Sequence, residues 1–135
     1  MKKNIAIVAG GDSSEWQVSL RSAEGLMNFI PSEKYNKYIV TIIGKEWNAL
    51  IDGEKTPIDK NDFSFTYKGE KTVFDCAYIT IHGTPGENGI LQGYFRLMRI
   101  PFTCCDVLPA SLTFDKFFCN SFLRNSNVKI AKSIE

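Results

Sequence analysis

The sequence predicts an α/β domain built on a doubly wound open parallel sheet, with a small antiparallel hairpin insertion. Two apolar segments, Lys3–Ala9 and Ala77–Ile81, are each followed by a glycine-containing polar loop and then by a helical pattern. Continuous apolar runs of this length are typical of parallel strands that are covered on both faces. The 135 residues suit one ordinary domain, so we expect a single domain over residues 1–135.

The first unit runs from a strand through a helix to a second strand. Lys3–Ala9 ends at a glycine pair, and Ser14 with Gln17 has the spacing of a capping box, which predicts a helix start. One apolar stripe then recurs at intervals of three and four: Trp16, Leu20, Ala23, Met27 and Ile30. The helix is expected to end near Pro31, before a second strand at Tyr38–Ile43, which makes a right-handed crossover.

The segment from residue 44 to residue 72 interrupts this pattern. Asp52 and Gly53 lie between two short strand-like pieces, which is a hairpin signal. Aromatic and polar residues then alternate up to Tyr67, and Lys68-Gly69 turns the chain again. We expect short antiparallel strands with a structural role at one edge of the sheet.

The second unit contains the only histidine of the chain. His82 follows Ala77–Ile81 directly, and a helix begins after a loop with three glycines. Its apolar face is predicted to carry Ile90, Leu91, Tyr94, Phe95 and Met98, and its polar face Gln92, Arg96 and Arg99. Ligands bind at the carboxyl ends of the strands in open α/β sheets, which makes His82 and Glu87 candidates for a site.

The last third of the chain predicts shorter elements. A fourth strand at Phe102–Cys105 comes first, and a brief helix over Asp106–Leu112 follows, with Pro109 in its first turn. A helix over Lys116–Arg124 is predicted next, capped by Asp115, with Phe118 and Phe122 on one face. Val128–Ala131 is predicted as a strand or linker.

Composition excludes several classes of protein. Sixteen basic and fifteen acidic residues give a net charge of +1 without a basic patch, so neither nucleic acid nor a membrane is an expected partner. No apolar run approaches the ~20 residues of a membrane span, and no signal peptide is evident, so we expect a cytoplasmic protein. The cysteines lack metal-site spacing, and buried, reduced thiols are expected at Cys76, Cys104, Cys105 and Cys119.

Spacing alone leads to a small-molecule pocket formed by two loops. The first loop precedes a helix N-terminus, which favours an anion, but its glycines lack the G-x-G-x-x-G order of a dinucleotide site. Glu15 either binds an ammonium group or complements the helix dipole, and His82 either contacts a ligand or is satisfied by hydrogen bonds. Glu87 either belongs to the site or caps the helix that follows it, and Lys116 is either solvated or near an anion. No metal site is predicted.

An alternative from another class also fits this pattern. A flavodoxin-like regulatory or binding module would share the fold without any chemistry of its own. The response-regulator version needs an acidic pair after the first strand, and here only Asp12 is present.

Three segments carry a resemblance to a known family. Val8-Ala-Gly-Gly-Asp-Ser-Ser-Glu-Trp-Gln-Val-Ser-Leu20 resembles the N-terminal motif of bacterial D-alanine–D-alanine ligases. Ile81-His-Gly-Thr-Pro-Gly-Glu-Asn-Gly-Ile-Leu-Gln-Gly93 resembles their second motif, and Ile100-Pro-Phe-Thr with Phe114-Asp-Lys116 resembles the third. The three motifs come in the family's order and cover most of the chain.

The resemblance implies the Rossmann-like pre-ATP-grasp domain of an ATP-dependent ligase that joins two D-alanines for peptidoglycan synthesis, through a D-alanyl phosphate, with ATP and Mg²⁺. It implies that Glu15 and His82 act on the first D-alanine, and that Lys116 reaches towards the ATP phosphates. The substrate pocket would include Glu15, Val18, Ser19, His82 and Gly83.

The same resemblance implies what this chain lacks. The ATP-grasp domains, which would bind most of the ATP and Mg²⁺, are expected beyond residue 135, so this chain alone is expected to be inactive. Gln17 and Asn88 replace acidic residues that are frequent in the family, which keeps hydrogen bonds but removes charges. The intact enzyme is expected to be a homodimer. The N-terminal domain of another ATP-grasp ligase is the remaining alternative.

Overall fold

The computed structural model describes residues 1–132 and contains seven strands and four helices in that range. The strands are β1 (Lys3–Gly10), β2 (Tyr35–Ile43), β3 (Glu46–Ile51), β4 (Glu54–Asp59), β5 (Ser64–Tyr67), β6 (Glu70–Val73) and β7 (Cys76–Ile79). The helices are α1 (Trp16–Phe29), α2 (Ile90–Leu97), α3 (Val107–Phe114) and α4 (Lys116–Leu123). Val128–Ala131 forms no strand, in agreement with the linker alternative.

All the strands belong to one mixed sheet in the order β6-β5-β4-β3-β2-β1-β7. Only β2, β1 and β7 are parallel, and β2 through β6 pair antiparallel in succession. The prediction of a parallel sheet with a small hairpin insertion is therefore wrong in its proportions. The antiparallel strands continue the sheet from β2, as the register Ile39 to Leu50 shows, and make up more than half of it.

Two tight turns explain the antiparallel half. Asp52 and Gly53 have φ angles of 51° and 82°, and Lys68 and Gly69 have φ angles of 50° and 83°. Positive φ at both central residues is the property of the type I′ turn, whose twist matches that of the flanking strands. The hairpin predicted at Asp52-Gly53 is confirmed.

The connection between β6 and β7 forces the sheet to curl. These strands lie at opposite ends of the sheet, yet only Phe74 and Asp75 join them. A flat sheet of this order would hold them about 29 Å apart, whereas three residue steps reach at most about 11 Å. The sheet therefore closes into a half-barrel, and Asn4 ties the two ends by donating from Nδ2 to the Val73 carbonyl (2.9 Å) and from its N–H to Asp75 (2.8 Å).

The alternation of β1 places its side chains in two separate cores. Ile7 and Ala9 pack with Ala23 under α1, whereas Ala6 and Val8 belong to the larger core that contains the buried residues of α2. The concave face of the curl is filled by aromatic rings in edge-to-face contact. The ring centroids of Phe63 and Phe95, for example, lie 4.9 Å apart. Helices on both faces of the parallel strands agree with the doubly wound prediction.

Two helix predictions are wrong in detail. In α2, Gln92 is 1% exposed and Ile90 is 57% exposed, the reverse of the predicted faces. The reason is that the loop before α2 folds back on the helix and covers Gln92. The capping box at Ser14 is also absent, because the N-cap of α1 is Glu15 and no side chain caps it.

The chain after α2 departs from prediction at the fourth strand. Phe102 forms a single parallel bridge with Ala77, because the Thr103 hydroxyl, and not a main-chain carbonyl, accepts the next hydrogen bond from Ile79 N–H (2.9 Å). Cys104 then turns away with a φ of 85°. The next two helices are confirmed, with Asp106 and Asp115 as their N-caps. Phe118 and Phe122 of α4 are exposed.

The cysteines are confirmed as unpaired, but their predicted burial is wrong. Cys104 and Cys105 are exposed, and Cys76 and Cys119 are partly exposed. Within residues 1–132, no helix has both the length and the apolar character needed to cross a bilayer.

Candidate functional site

Two loops meet at the carboxyl ends of β1 and β7, as the sequence predicts. The first loop covers residues 10–15, and the second loop covers residues 80–89. The Ser13 hydroxyl donates to the His82 carbonyl (2.8 Å), and the Asp12 N–H donates to the Thr84 carbonyl (2.9 Å). The Asp12 carboxylate also accepts from the Gly44 N–H after β2 (2.7 Å), so the ends of all three parallel strands are joined.

Glycines allow the loops to approach this closely. A methyl group at Gly11, whose φ is 93°, would lie 2.5 Å from Ile81 Cγ2 and 3.2 Å from the Thr84 carbonyl. At Gly86 it would lie 2.6 Å from Ile81 Cβ. The two distances to carbon atoms of Ile81 are shorter than two carbon atoms tolerate. The packing of the two loops therefore depends on the absence of side chains at Gly11 and Gly86.

A small polar cluster fixes the junction from inside. Ser19 is completely buried, and its hydroxyl accepts from the Gly10 N–H (3.0 Å) and lies 3.2 Å from the Thr80 hydroxyl. Thr80 in turn donates to the Val8 carbonyl (3.0 Å). Ser19 was predicted to shape the pocket wall, and in this structure it lies behind that wall and positions it.

Glu87 closes the second loop and does not cap α2. Its carboxylate accepts from the Gly83 N–H (2.7 Å), and the N–H groups of Gly86 and Glu87 both donate to the Gly83 carbonyl (2.9 Å each). The N-cap of α2 is Gly89, with a φ of 91° and no side-chain cap. Gly83, a predicted substrate contact, thus lies inside a closed turn directly after His82.

Three predicted side chains stand at the rim of this junction. Glu15 is exposed at the start of α1, Val18 is 50% exposed one turn later, and His82 is partly exposed on the second loop. In the part of the chain that the structure describes, neither the Glu15 carboxylate nor the His82 imidazole has a hydrogen-bond partner. Both groups are available to a ligand.

Two grooves flank the second loop. The α1 groove, about 530 Å³, lies between α1 and the loop and is lined by Ser22, Leu26, Phe29, Tyr78, His82 and Glu87. The α4 groove, about 600 Å³, lies towards α3 and α4 and is lined by Glu87, Gln92, Cys105, Thr113, Phe114 and Lys116. His82 and Lys116 therefore face different grooves, and Glu87 borders both.

Lys116 occupies the first position of α4, where Asp115 caps the helix by accepting from the Phe118 N–H (2.9 Å). Its ammonium group is exposed and has no ion-pair partner among residues 1–132. A cation at this position is suited to an anionic ligand, since it stands beside the N–H groups of the helix start. Across the same residues, no three His, Cys, Asp or Glu side chains gather to hold a metal ion.

Sequence reasoning missed three residues of the junction. Ser13 and Thr80 carry its hydrogen bonds, and Gln92 donates to the second loop from a buried position. Thr80 gave a usable signal, since it is the one polar residue inside the apolar run Ala77–Ile81. Nothing in the helical spacing of Gln92 indicates its burial.

The fold and the junction together define a class of protein. Helices leave adjacent parallel strands towards opposite faces of the sheet, and the crevice between them is where α/β domains bind small molecules. Residues 4–105 match the model of the family described as "D-ala D-ala ligase N-terminus", and the chain belongs to that family.

Comparison with known proteins agrees with this assignment. The chain is 62% identical over 135 residues to the D-alanine–D-alanine ligase of Bacteroides fragilis strain YCH46, covering 99% of this chain and 42% of that protein. The chain therefore spans less than half the length of this relative.

Solved structures agree as well. The VanG D-Ala:D-Ser ligase from Enterococcus faecalis superposes with a TM-score of 0.83 at 26% identity, covering 98% of this chain and 44% of that one. The D-alanine–D-alanine ligase from Bacillus anthracis, solved in complex with ATP, gives a TM-score of 0.63 at 25% identity, covering 90% and 35%.

Proposed function

We propose that this chain is the N-terminal domain of a D-alanine–D-alanine ligase and forms one side of the site for the first D-alanine. The observation that carries the proposal is the hydrogen-bonded junction of the two loops, in which Ser13 and His82 are in direct contact. It joins the two loops that carry the first and second family motifs. The family membership and the relatives' names support the same conclusion.

The rim suits a small zwitterion. The Glu15 carboxylate is free to accept hydrogen bonds from an ammonium group, and such a charge-assisted bond is among the stronger ones in proteins. His82, which belongs to the second loop, would hold or polarise the same molecule. Val18 offers an apolar surface to a methyl group, while Gly83 and the buried Ser19 set the shape of the wall.

ATP would supply the phosphoryl group that activates the carboxylate of D-alanine. Lys116 would contact its phosphates, because its ammonium group has no ion-pair partner among residues 1–132 and stands at a helix N-terminus. Residues 1–132 contain no cluster of side chains that could hold Mg²⁺. The ligands for Mg²⁺ would therefore come from other parts of the enzyme.

The organisation of the whole enzyme belongs to the same proposal. Residues 1–135 would form a single domain, and ATP-grasp domains would account for the remaining length of the relatives, so this chain alone would have no ligase activity. A homodimeric, cytoplasmic enzyme of peptidoglycan synthesis completes the proposal. The N-terminal domain of another ATP-grasp ligase and a regulatory module without chemistry have no comparable support.

A chimeric enzyme tests the proposal. Residues 1–135 of this chain replace the matching segment of the Bacteroides fragilis ligase, and formation of D-Ala-D-Ala is measured with ATP and Mg²⁺. We expect an active chimera, and no product from the 135-residue chain by itself. An inactive but folded chimera would reject the proposed function. Product from the 135-residue chain would reject the proposal that ligase activity requires the ATP-grasp domains.

The role of Glu15 gives the first substitution to test in this chimera. Glu15→Gln removes the charge that would hold the ammonium group, and a hydrogen bond to a charged group contributes about 1.5–3 kcal/mol. We therefore expect kcat/KM for D-alanine to fall by about 10- to 150-fold. Glu24→Gln, the same change at an exposed position of α1, is the matched control and should retain full activity. Equal activities of the two variants would contradict the role of Glu15.

A further inference from the structure

We propose that Gln92 is a positioning residue, which holds the second loop in the shape that presents His82 and Gly83 to the ligand. Its structural part stands on the contacts of this chain alone. Its kinetic consequence rests on the proposed function.

The Gln92 amide is buried and is bound to the loop on one side only. The side chain is 1% exposed, and its Nε2 donates to the Gly86 carbonyl at 2.7 Å. Its Oε1 is buried and has no hydrogen-bond partner in the part of the chain that the structure describes. The amide NH₂ group of Gln92 thus binds the second loop, and the amide oxygen does not.

The bonded carbonyl is well placed to control the loop. The Gly86 carbonyl belongs to the peptide that joins Gly86 to Glu87, so the Gln92 amide fixes the plane from which Glu87 emerges. Glu87 then accepts from the Gly83 N–H (2.7 Å) and donates its own N–H to the Gly83 carbonyl (2.9 Å). Gly83 is joined to His82. A continuous series of contacts therefore runs from the buried amide to the rim.

A purely space-filling role does not explain the amide. Burying an amide costs free energy unless its hydrogen bonds are made, and an apolar side chain of similar length would avoid that cost at the same position. Methionine has nearly the same length and has no acceptor to desolvate. The bond to the Gly86 carbonyl is what Gln92 provides and an apolar residue lacks.

Hydrogen exchange on the 135-residue chain tests the structural part. In Gln92→Met, we expect the loop amides of Gly83, Gly86 and Glu87 to exchange at least about tenfold faster, while amides of α1 are unchanged. Ser64→Ala removes from β5 a polar side chain of equal burial, whose hydroxyl donates to Asp62 and makes no hydrogen bond to the second loop, and is the matched control. Unchanged loop exchange in Gln92→Met would overturn the proposal.

A second variant keeps the test decisive if Gln92→Met does not fold. A glutamate at position 92 donates to the Gly86 carbonyl only while it is protonated, and burial raises the pKa of such a carboxyl group. In Gln92→Glu, loop exchange relative to the unsubstituted chain at the same pH should be normal under acidic conditions and faster as the pH rises. A ratio that does not change with pH would contradict the donor role.

Kinetics in the chimera test the functional part. We expect Gln92→Met to raise the KM for D-alanine about tenfold and to leave the KM for ATP unchanged. A merely structural loss would reduce the amount of active enzyme, which lowers kcat and leaves both KM values as they were. If the unsubstituted chimera is inactive, the proposed function fails, and the exchange measurements alone decide the role of Gln92.

Discussion

At the scale of single residues, the junction depends on where side chains are missing. Gly86 and Gly93 lie close in the sequence but in opposite surroundings. A methyl group at Gly86 would lie 2.6 Å from Ile81 Cβ and 2.8 Å from the Ile81 carbonyl, whereas nothing lies within 4 Å of one at Gly93. The first glycine is required by a close approach of two segments, and the second is not.

This contrast predicts opposite effects of the same substitution. Gly86→Ala should lower the free energy of unfolding by about 1–3 kcal/mol, the usual cost of overpacking. Gly93→Ala should raise it by about 0.5–1 kcal/mol, because alanine is the better residue inside a helix. Urea denaturation of the two variants measures both effects. A stabilising Gly86→Ala would show that the second loop is less tightly packed than the structure indicates.

At the scale of elements, an ion pair joins α2 to the start of α3. Arg96 Nε donates to the Asp106 carboxylate (3.0 Å), and the same carboxylate caps α3 by accepting from the Val107 N–H (2.8 Å). The Arg96 guanidinium, and after it the Val107 N–H, holds the pKa of the Asp106 carboxyl below its usual value. Because both groups are exposed, the contribution to stability is modest and depends on salt.

The lowered pKa sets the direction of a pH effect. A carboxyl group with a lowered pKa in the folded state stabilises the fold above its unfolded pKa, about 3.9. That stability is lost as the pH falls through the lower folded value. Asp106→Asn keeps a capping side chain but removes the charge, so its Tm should lie below that of the unsubstituted chain at pH 7, and the difference should vanish near pH 2. A difference that persists in acid would assign the effect to the cap and not to the ion pair.

The elements also show how far the sequence alone leads. Local signals predicted the Asp52-Gly53 turn and the cap at Asp115, since each depends on residues that are close in the chain. The buried position of Gln92 was not predictable, because a loop that precedes the helix covers it. The convergence of the two loops was predictable from topology, but the hydrogen bonds of Ser13 and Thr80 that fasten them were not.

At the scale of the whole molecule, the curled sheet is the feature that no local pattern indicated. Each antiparallel strand is short, and only β3 pairs with β2, while β4, β5 and β6 are added in succession, each to the strand before it. The curl follows from the two-residue link between β6 and β7 together with the strand order, and the order is known only from the structure. Aromatic side chains such as Phe63 and Phe95 were visible in the sequence, but their common location inside the curl was not.

The same strand order has a kinetic consequence. The hairpin partners Ile51 and Glu54 are separated by only the two turn residues, whereas pairing of Ile5 with Cys76 closes a segment of about seventy residues. Loop closure over long segments is slow, so we expect pulse-labelled amides of the β3–β4 hairpin to be protected before those that join β1 to β7. Simultaneous protection of both would contradict this order. The crevice between the two loops would then form late, and a nascent chain would complete the proposed ligand site only on completing the fold.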